Sequence, residues 1–120
     1  MKSTLPLEKI VSKIAALGVP GLVFVVAVGA TGLSGAAAIT AALAALGPGG
    51  IVGGIAFLGV AGVIAAGITE YGTEAILKGV IQQLYLRGES KESIKAKIEK
   101  YPISKSLKYK LFEKLDSFKI

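Results

Sequence analysis

The stretch IAALGVPGLVFVVAVGATGLSGAAAITAALAALGPGGIVGGIAFLGVAGVIAAGIT, residues 14–69, decides the fold class. It runs for 56 residues without a charge, between Lys13 and Glu70. Its hydroxyl side chains are Thr31, Ser34, Thr40 and Thr69. An outer helix of a water-exposed domain needs a polar face, and this run offers none at any register. A helix apolar on every side is the core of a large protein or a membrane span, and a chain of 120 residues is short for the first. The pattern predicts an all-α membrane protein.

A helix of about 20 apolar residues crosses the hydrocarbon layer, so the run holds two crossings and a turn. Gly47-Pro48-Gly49-Gly50 is the expected turn, because Gly47 can end a helix and Pro48 cannot continue one. The first arm, about 19–46, contains Gly29, Gly32 and Gly35 within seven residues. Each interior glycine costs about 1 kcal/mol of helix propensity. A kink or break is expected there, with Val19–Ala30 and Leu33–Leu46 as the two pieces. In lipid such a break requires protein or water to cover the freed backbone groups, which points to an oligomer, a re-entrant hairpin or a lined cavity.

The flanks are basic: residues 1–13 carry a net +2 and residues 70–120 a net +4. Lys2, Lys9 and Lys13 before an apolar run resemble a signal peptide, but the run is far too long for one and no cleavage is expected. Leu5–Leu17 reads as an amphipathic helix, with Leu7, Ile10, Val11, Ile14 and Leu17 on one face. It fits a helix lying in the membrane interface or the start of an ordinary core helix. Ile51–Arg87 lacks proline and predicts one continuous helix of about 55 Å, spanning the bilayer and projecting into water until Gly88. Its outer part has a stripe of Ile76, Leu77, Val80, Ile81, Leu84 and Tyr85, and a Glu74–Lys78 pair at helical spacing. Ser90 and Ser104 can cap two further helices, separated by Pro102, whose stripes (Ile94 and Ile98; Leu107, Leu111, Leu115 and Phe118) can pack on that stalk. Three regions result: an amphipathic N-terminal helix at 1–18, a Gly/Ala-rich membrane hairpin at 19–69, and a small basic helical subdomain at 70–120. Two crossings put both basic ends on one side, and the charge bias predicts an integral membrane protein with both termini cytoplasmic.

Small residues recur in rows: Gly50, Gly54, Gly62 and Ala66; Gly59 and Gly67; Gly32 and Ala36, with Gly35 leading to Ile39 and Leu43. Such rows let helices approach closely in lipid, where association depends on packing. They read as an oligomer seam, or as packing of the two arms of one hairpin. Several rows on different faces favour the oligomer.

Chemistry is sparse. The chain has no Cys and no His, so zinc and thiol chemistry have no ligands or nucleophile. No intramembrane carboxylate or lysine marks an ion path, which argues against coupled transport and leaves a pore lined by Gly, Ala and Thr. The glycines at 47–54 match no phosphate loop. Glu70 and Glu74 share a helix face but read as solvated side chains rather than an acid/base pair. No enzyme activity and no cofactor are expected. Lys95, Lys97, Lys100, Lys105, Lys108 and Lys110 form a basic surface suited to anionic lipid, beside the plainer reading of a solvated face. Nucleic acid ranks last, since Tyr101, Tyr109, Phe112 and Phe118 fall on apolar stripe positions. Tyr71 fits an interfacial anchor.

The segment from Gly29-Ala-Thr-Gly-Leu-Ser-Gly through Ala-Ala-Leu, followed by Gly47-Pro-Gly-Gly-Ile-Val-Gly-Gly, resembles the interferon-inducible 6-16 family of small membrane proteins over residues 25–67. The resemblance implies an Ala-rich arm, a Gly-rich turn, a second Gly-spaced arm, and a role in organelle membranes, cell death or antiviral response. It transfers no catalytic residue, and the Lys-rich C-terminal segment departs from the family pattern.

The leading expectation is a self-associating membrane protein that alters permeability, of the stress or defence effector type, with the bilayer and further copies of itself as partners. A second is a non-catalytic structural or accessory subunit of a larger membrane complex. A third is a toxin-like or oligomeric chain that hides the run until it meets a membrane.

Overall fold

A computed structural model describes residues 6–46 and 55–118, with backbone alone for 55–59. The described residues form seven helices and no strand: α1 (Leu7–Ala15), α2 (Val19–Ala30), α3 (Gly35–Leu46), α4 (Ile55–Tyr71), α5 (Thr73–Leu86), α6 (Lys91–Glu99) and α7 (Lys105–Ser117). The all-α class is as expected. The apolar run does not form two straight arms: its first arm is divided into α2 and α3, which pack on each other, and α3 lies beside α4.

Helix α2 is the centre of the molecule. Every side chain from Leu22 to Val28 is at most 4% exposed, and α2 touches all six other helices. A helix apolar all round has thus found a core inside a 120-residue chain. What makes this possible is the set of apolar stripes around it. Ile10, Val11 and Ile14 of α1, Ile76, Leu77, Val80, Ile81 and Leu84 of α5, Ile94 and Ile98 of α6, and Leu107, Leu111 and Leu115 of α7 all join the core around Phe24. Each such side chain, fully buried, contributes about 2 kcal/mol before the cost of ordering it. Helix α3 adds a thin layer through Ala38, Ala42 and Leu46.

The first arm divides as its glycines predict, with α2 ending at Ala30 and α3 beginning at Gly35. The backbone groups freed at the break are met locally. Thr31 Oγ1 donates to the Val28 carbonyl at 2.7 Å and accepts from the Leu33 N–H at 3.1 Å. The turn expected at Gly47, Pro48, Gly49 and Gly50 lies outside the described residues.

The continuous helix expected over 51–87 does not form. The chain breaks at Gly72, whose φ of 89° and ψ of 153° suit no residue with a side chain. Helix α5 turns there to pack on α1, α2 and α4. The molecule measures 37 Å along its longest axis, so there is no ~55 Å stalk. Among the described residues no single helix is long and apolar enough to cross a membrane; only the pair α1–α2, bent by 120°, passes that test together.

The flanking helices follow the sequence more closely. In α1, Ile10, Val11, Ile14 and Ala15 are buried, while Glu8, Lys9, Ser12 and Lys13 face out. Its apolar face packs on α5, α4 and α2. Ser90 caps α6 in a capping box with Ser93, and Ser104 accepts from the Leu107 N–H at the start of α7. The stripes of α6 and α7 are expected on α5; both helices pack on α2, and α7 also reaches α5 through the pair Lys114–Glu74. Residues 70–120 therefore share one core with residues 7–46.

Candidate functional site

Helices α3 and α4 pack side by side, and as far as Thr69 the face they present outward carries no charge. Leu33 is 53% exposed, and Ala36, Ala37, Thr40, Ala44, Ala45 and Gly62 are exposed around it. A solvated helix ordinarily carries charge on such a face. Between the two helices lies a groove of about 390 Å³ lined by Ser34, Gly35, Ala36, Ile39, Gly62, Ala65, Ala66 and Thr69. The polar atoms of Thr40 and Thr69 are turned inward to their own helices, donating to the carbonyls of Ala36 and Ala65 at 3.0 Å. That self-satisfaction lowers the polarity of a face already without charge.

The structure brings four of the proposed seam residues together here: Gly35, Ala36, Gly62 and Ala66. A Cβ on Gly62 would meet nothing within 4 Å, so this small residue leaves open space rather than serving a contact inside the fold. Gly32 stands apart, exposed in the link between α2 and α3. Gly67 faces the other way: its missing Cβ would lie 3.0 Å from Ile10 Cγ2, so it serves packing of α4 on α1. Gly59 lies in α4 at a position described by backbone alone, and Gly50 and Gly54 lie outside the described residues.

The six lysines assigned to an anionic surface divide into two groups. Lys95 lies 2.8 Å from Asp116 and 5.7 Å from the centroid of the Phe112 ring. Lys97 pairs with Glu89, and Lys108 donates to the Glu99 carbonyl at 2.8 Å. Lys95 and Lys108 brace α6 to α7, and Lys97 ties α6 to the link that precedes it. Lys100, Lys105 and Lys110 are exposed, with no salt bridge among the described residues. The bonds leave an electrostatic signature. Hydrogen bonds from Lys97 and Ser93 hold the Glu89 carboxyl below its ordinary value, and the bond from Lys95 does the same for Asp116. Burial pushes the Tyr85 and Tyr101 hydroxyls up, aided by the charges of Glu92 and Glu89 respectively.

Tyr71 ends α4, half-buried against the core. Among the described residues no charged or polar side chain is buried, and no cluster of Asp and Glu could hold a metal. The arrangement supplies surfaces, not a dry reactive pocket.

Sequence reasoning missed two features. Glu74 pairs with Lys114 of α7, forty residues away, rather than with Lys78. Thr31 closes the break between α2 and α3, and its place directly after Gly29-Ala30 was the available signal. The chain matches no protein-family model, no curated protein and no solved structure.

Proposed function

We infer that the protein acts on lipid bilayers, altering their permeability after associating with further copies of itself. The observation that carries this reading is the uncharged outer face of α3 and α4, with its open groove of small residues. Water gains nothing from that face, whereas a bilayer or the same face of a second copy covers it without desolvating a charge. Gly35, Ala36, Gly62 and Ala66 then form the seam, since small residues give helices close approach in lipid. Lys100, Lys105 and Lys110 suit anionic headgroups. The resemblance to the interferon-inducible family over residues 25–67 points the same way, toward a stress or defence effector.

Burial of α2 supports the variant in which the apolar run is stored inside the fold until a membrane is met. The hairpin of residues 19–69, with Tyr71 at the interface and both termini cytoplasmic, is then the form adopted in lipid. A groove open to a helix also suits the accessory-subunit reading, in which a foreign helix fills it.

The test is release of a trapped dye from vesicles by the purified full chain. Release from vesicles containing anionic lipid, with a defined homo-oligomer in mild detergent, is the expected result. Absence of both binding and release overturns the permeability reading. A stoichiometric foreign partner on purification from the native membrane favours the accessory subunit.

A further inference from the structure

Helices α6 and α7 are braced to one another. Asp116 receives Lys95 at 2.8 Å and Lys91 at 3.7 Å, Lys108 reaches back to the Glu99 carbonyl, and Lys95 sits over Phe112. The pair joins α5 through residues 87–90, where Gly88 has a φ of 102° and open space around it. Glu89, bound to Lys97 and Ser93, lies on the α6 side of that glycine. Inward, the pair presents Ile94, Ile98, Leu107, Leu111 and Leu115, all buried. Outward, residues 91–117 carry eight lysines against four carboxylates. The helix beneath is α2. Across the seam, Lys114 of α7 pairs with Glu74 of α5.

We propose that α6–α7 is a lid over α2, and that an anionic bilayer is the partner that opens it, with Gly88 as the pivot. The proposal rests on the membrane reading above. In water the lid stays shut, because lifting it exposes five apolar side chains and the matching face of α2. At a bilayer those surfaces pass into hydrocarbon, and the opposing hydrophobic term disappears. The lysines of the lid supply the pull, since each is attracted to an anionic leaflet. Anionic headgroups also compete with Glu74 for Lys114. With the lid lifted, the flank of α2 that α6 and α7 cover meets lipid, which is the first step toward a lipid-embedded hairpin.

The native chain has no cysteine, so a single introduced thiol reports opening cleanly. Ala27 of α2 is buried and borders the same cleft as Leu107 of the lid. The experiment follows labelling of Ala27→Cys in the full chain by a membrane-permeant maleimide present from the moment of mixing, so that the thiol is caught as the lid lifts, in buffer, with phosphatidylcholine vesicles, and with vesicles half phosphatidylglycerol. Ala42→Cys, on the buried face of α3, is the control for general unfolding. Should either cysteine disturb folding, a zero-length carbodiimide crosslink between Glu74 and Lys114 in the unsubstituted chain gives the same information, forming in buffer and with phosphatidylcholine and lost with phosphatidylglycerol. Labelling at position 27 is expected to be slow in buffer and with phosphatidylcholine and fast with phosphatidylglycerol, while position 42 stays protected. Glu74→Lys is expected to raise labelling in buffer roughly fivefold, as loss of an ion pair of this kind allows, and the swap Glu74→Lys with Lys114→Glu to reverse the rise. Equal labelling in all three conditions, parallel labelling at position 42, or no response to Glu74→Lys overturns the lid. Opening by phosphatidylglycerol without dye release keeps the lid and overturns the permeability reading instead.

Discussion

The Cβ that Gly79 lacks would stand 2.7 Å from Val11 Cγ2, and its absence is what lets α5 lie against α1. Val11 is buried and branched at Cβ, so it cannot swing aside as the tip of a flexible chain could. Replacing Gly79 with alanine gains about 1 kcal/mol of helix propensity and loses about 1–3 kcal/mol to overpacking. We expect Gly79→Ala to destabilise the fold by about 1 kcal/mol in urea denaturation. Val11→Ala removes the obstacle, so the double variant should be more stable than the sum of the two single losses. Simple additivity of the two would show that the close approach is not the cause.

Two other glycines make a matched pair in opposite senses. Gly72 holds a positive φ between α4 and α5, and an alanine there is strained by about 1–3 kcal/mol. Gly62 lies within α4 with open space around it, and alanine there relieves up to ~1 kcal/mol of helix cost. Thermal melts should therefore fall for Gly72→Ala and hold or rise for Gly62→Ala. A rise for Gly72→Ala would mean that α4 and α5 prefer to run on as one helix, as the sequence suggested, and that the corner is weakly held.

The parts of this fold visible in the sequence are those encoded within a few residues. The Ser90 and Ser104 caps and the stripes of α5 to α7 have local signals and appear where expected. The break between Ala30 and Gly35 was legible for the same reason. The destination of α2 was not. An all-apolar helix satisfies both a bilayer and a protein core, and the choice depends on whether stripes spread over residues 10–115 can surround it. Gly72 carries no break signal of its own, because a lone glycine in a helical pattern is usually tolerated. Long-range pairings such as Glu74 with Lys114, or Gly35 and Ala36 with Gly62 and Ala66, have no local spacing to announce them.

Acid should loosen the bracing of α6 and α7 before it affects the apolar core. The folded carboxyls of Glu89 and Asp116 are held below their ordinary values by Lys97 and Lys95. A depressed carboxyl adds stability that is fully present above the unfolded value and is lost as pH falls through the folded one. We expect the melting temperature to drop between about pH 6 and about pH 3. In Glu89→Gln/Asp116→Asn that drop should shrink, since two of the groups that bind extra protons on unfolding are gone. An equal drop in that variant would place the acid sensitivity elsewhere, and an Asp116 titration midpoint at or above that of a free aspartate would remove its cause.

Gly62 also offers the sharpest separation of fold from assembly. A Cβ on Gly62 meets no neighbour and Gly62 lines the α3–α4 groove, so Gly62→Leu puts its added bulk into that groove. In water the variant should melt within a few degrees of the parent, because an exposed substitution away from packed features changes stability by about 0.5 kcal/mol or less. In lipid the outcome differs if the groove is the seam between copies, since a leucine there keeps two helices from the close approach that small residues allow. Crosslinking in vesicles should then show the parent as a defined oligomer and Gly62→Leu as a monomer, with dye release falling in step. Gly67→Ala cannot serve as the comparison, because Gly67 packs against Ile10 and its substitution would disturb the fold itself. Lys105→Gln, on an exposed residue of α7 outside the groove, is the fitting control and should leave the oligomer intact. An unchanged oligomer in Gly62→Leu would move the seam away from α3 and α4 and leave the uncharged face to lipid.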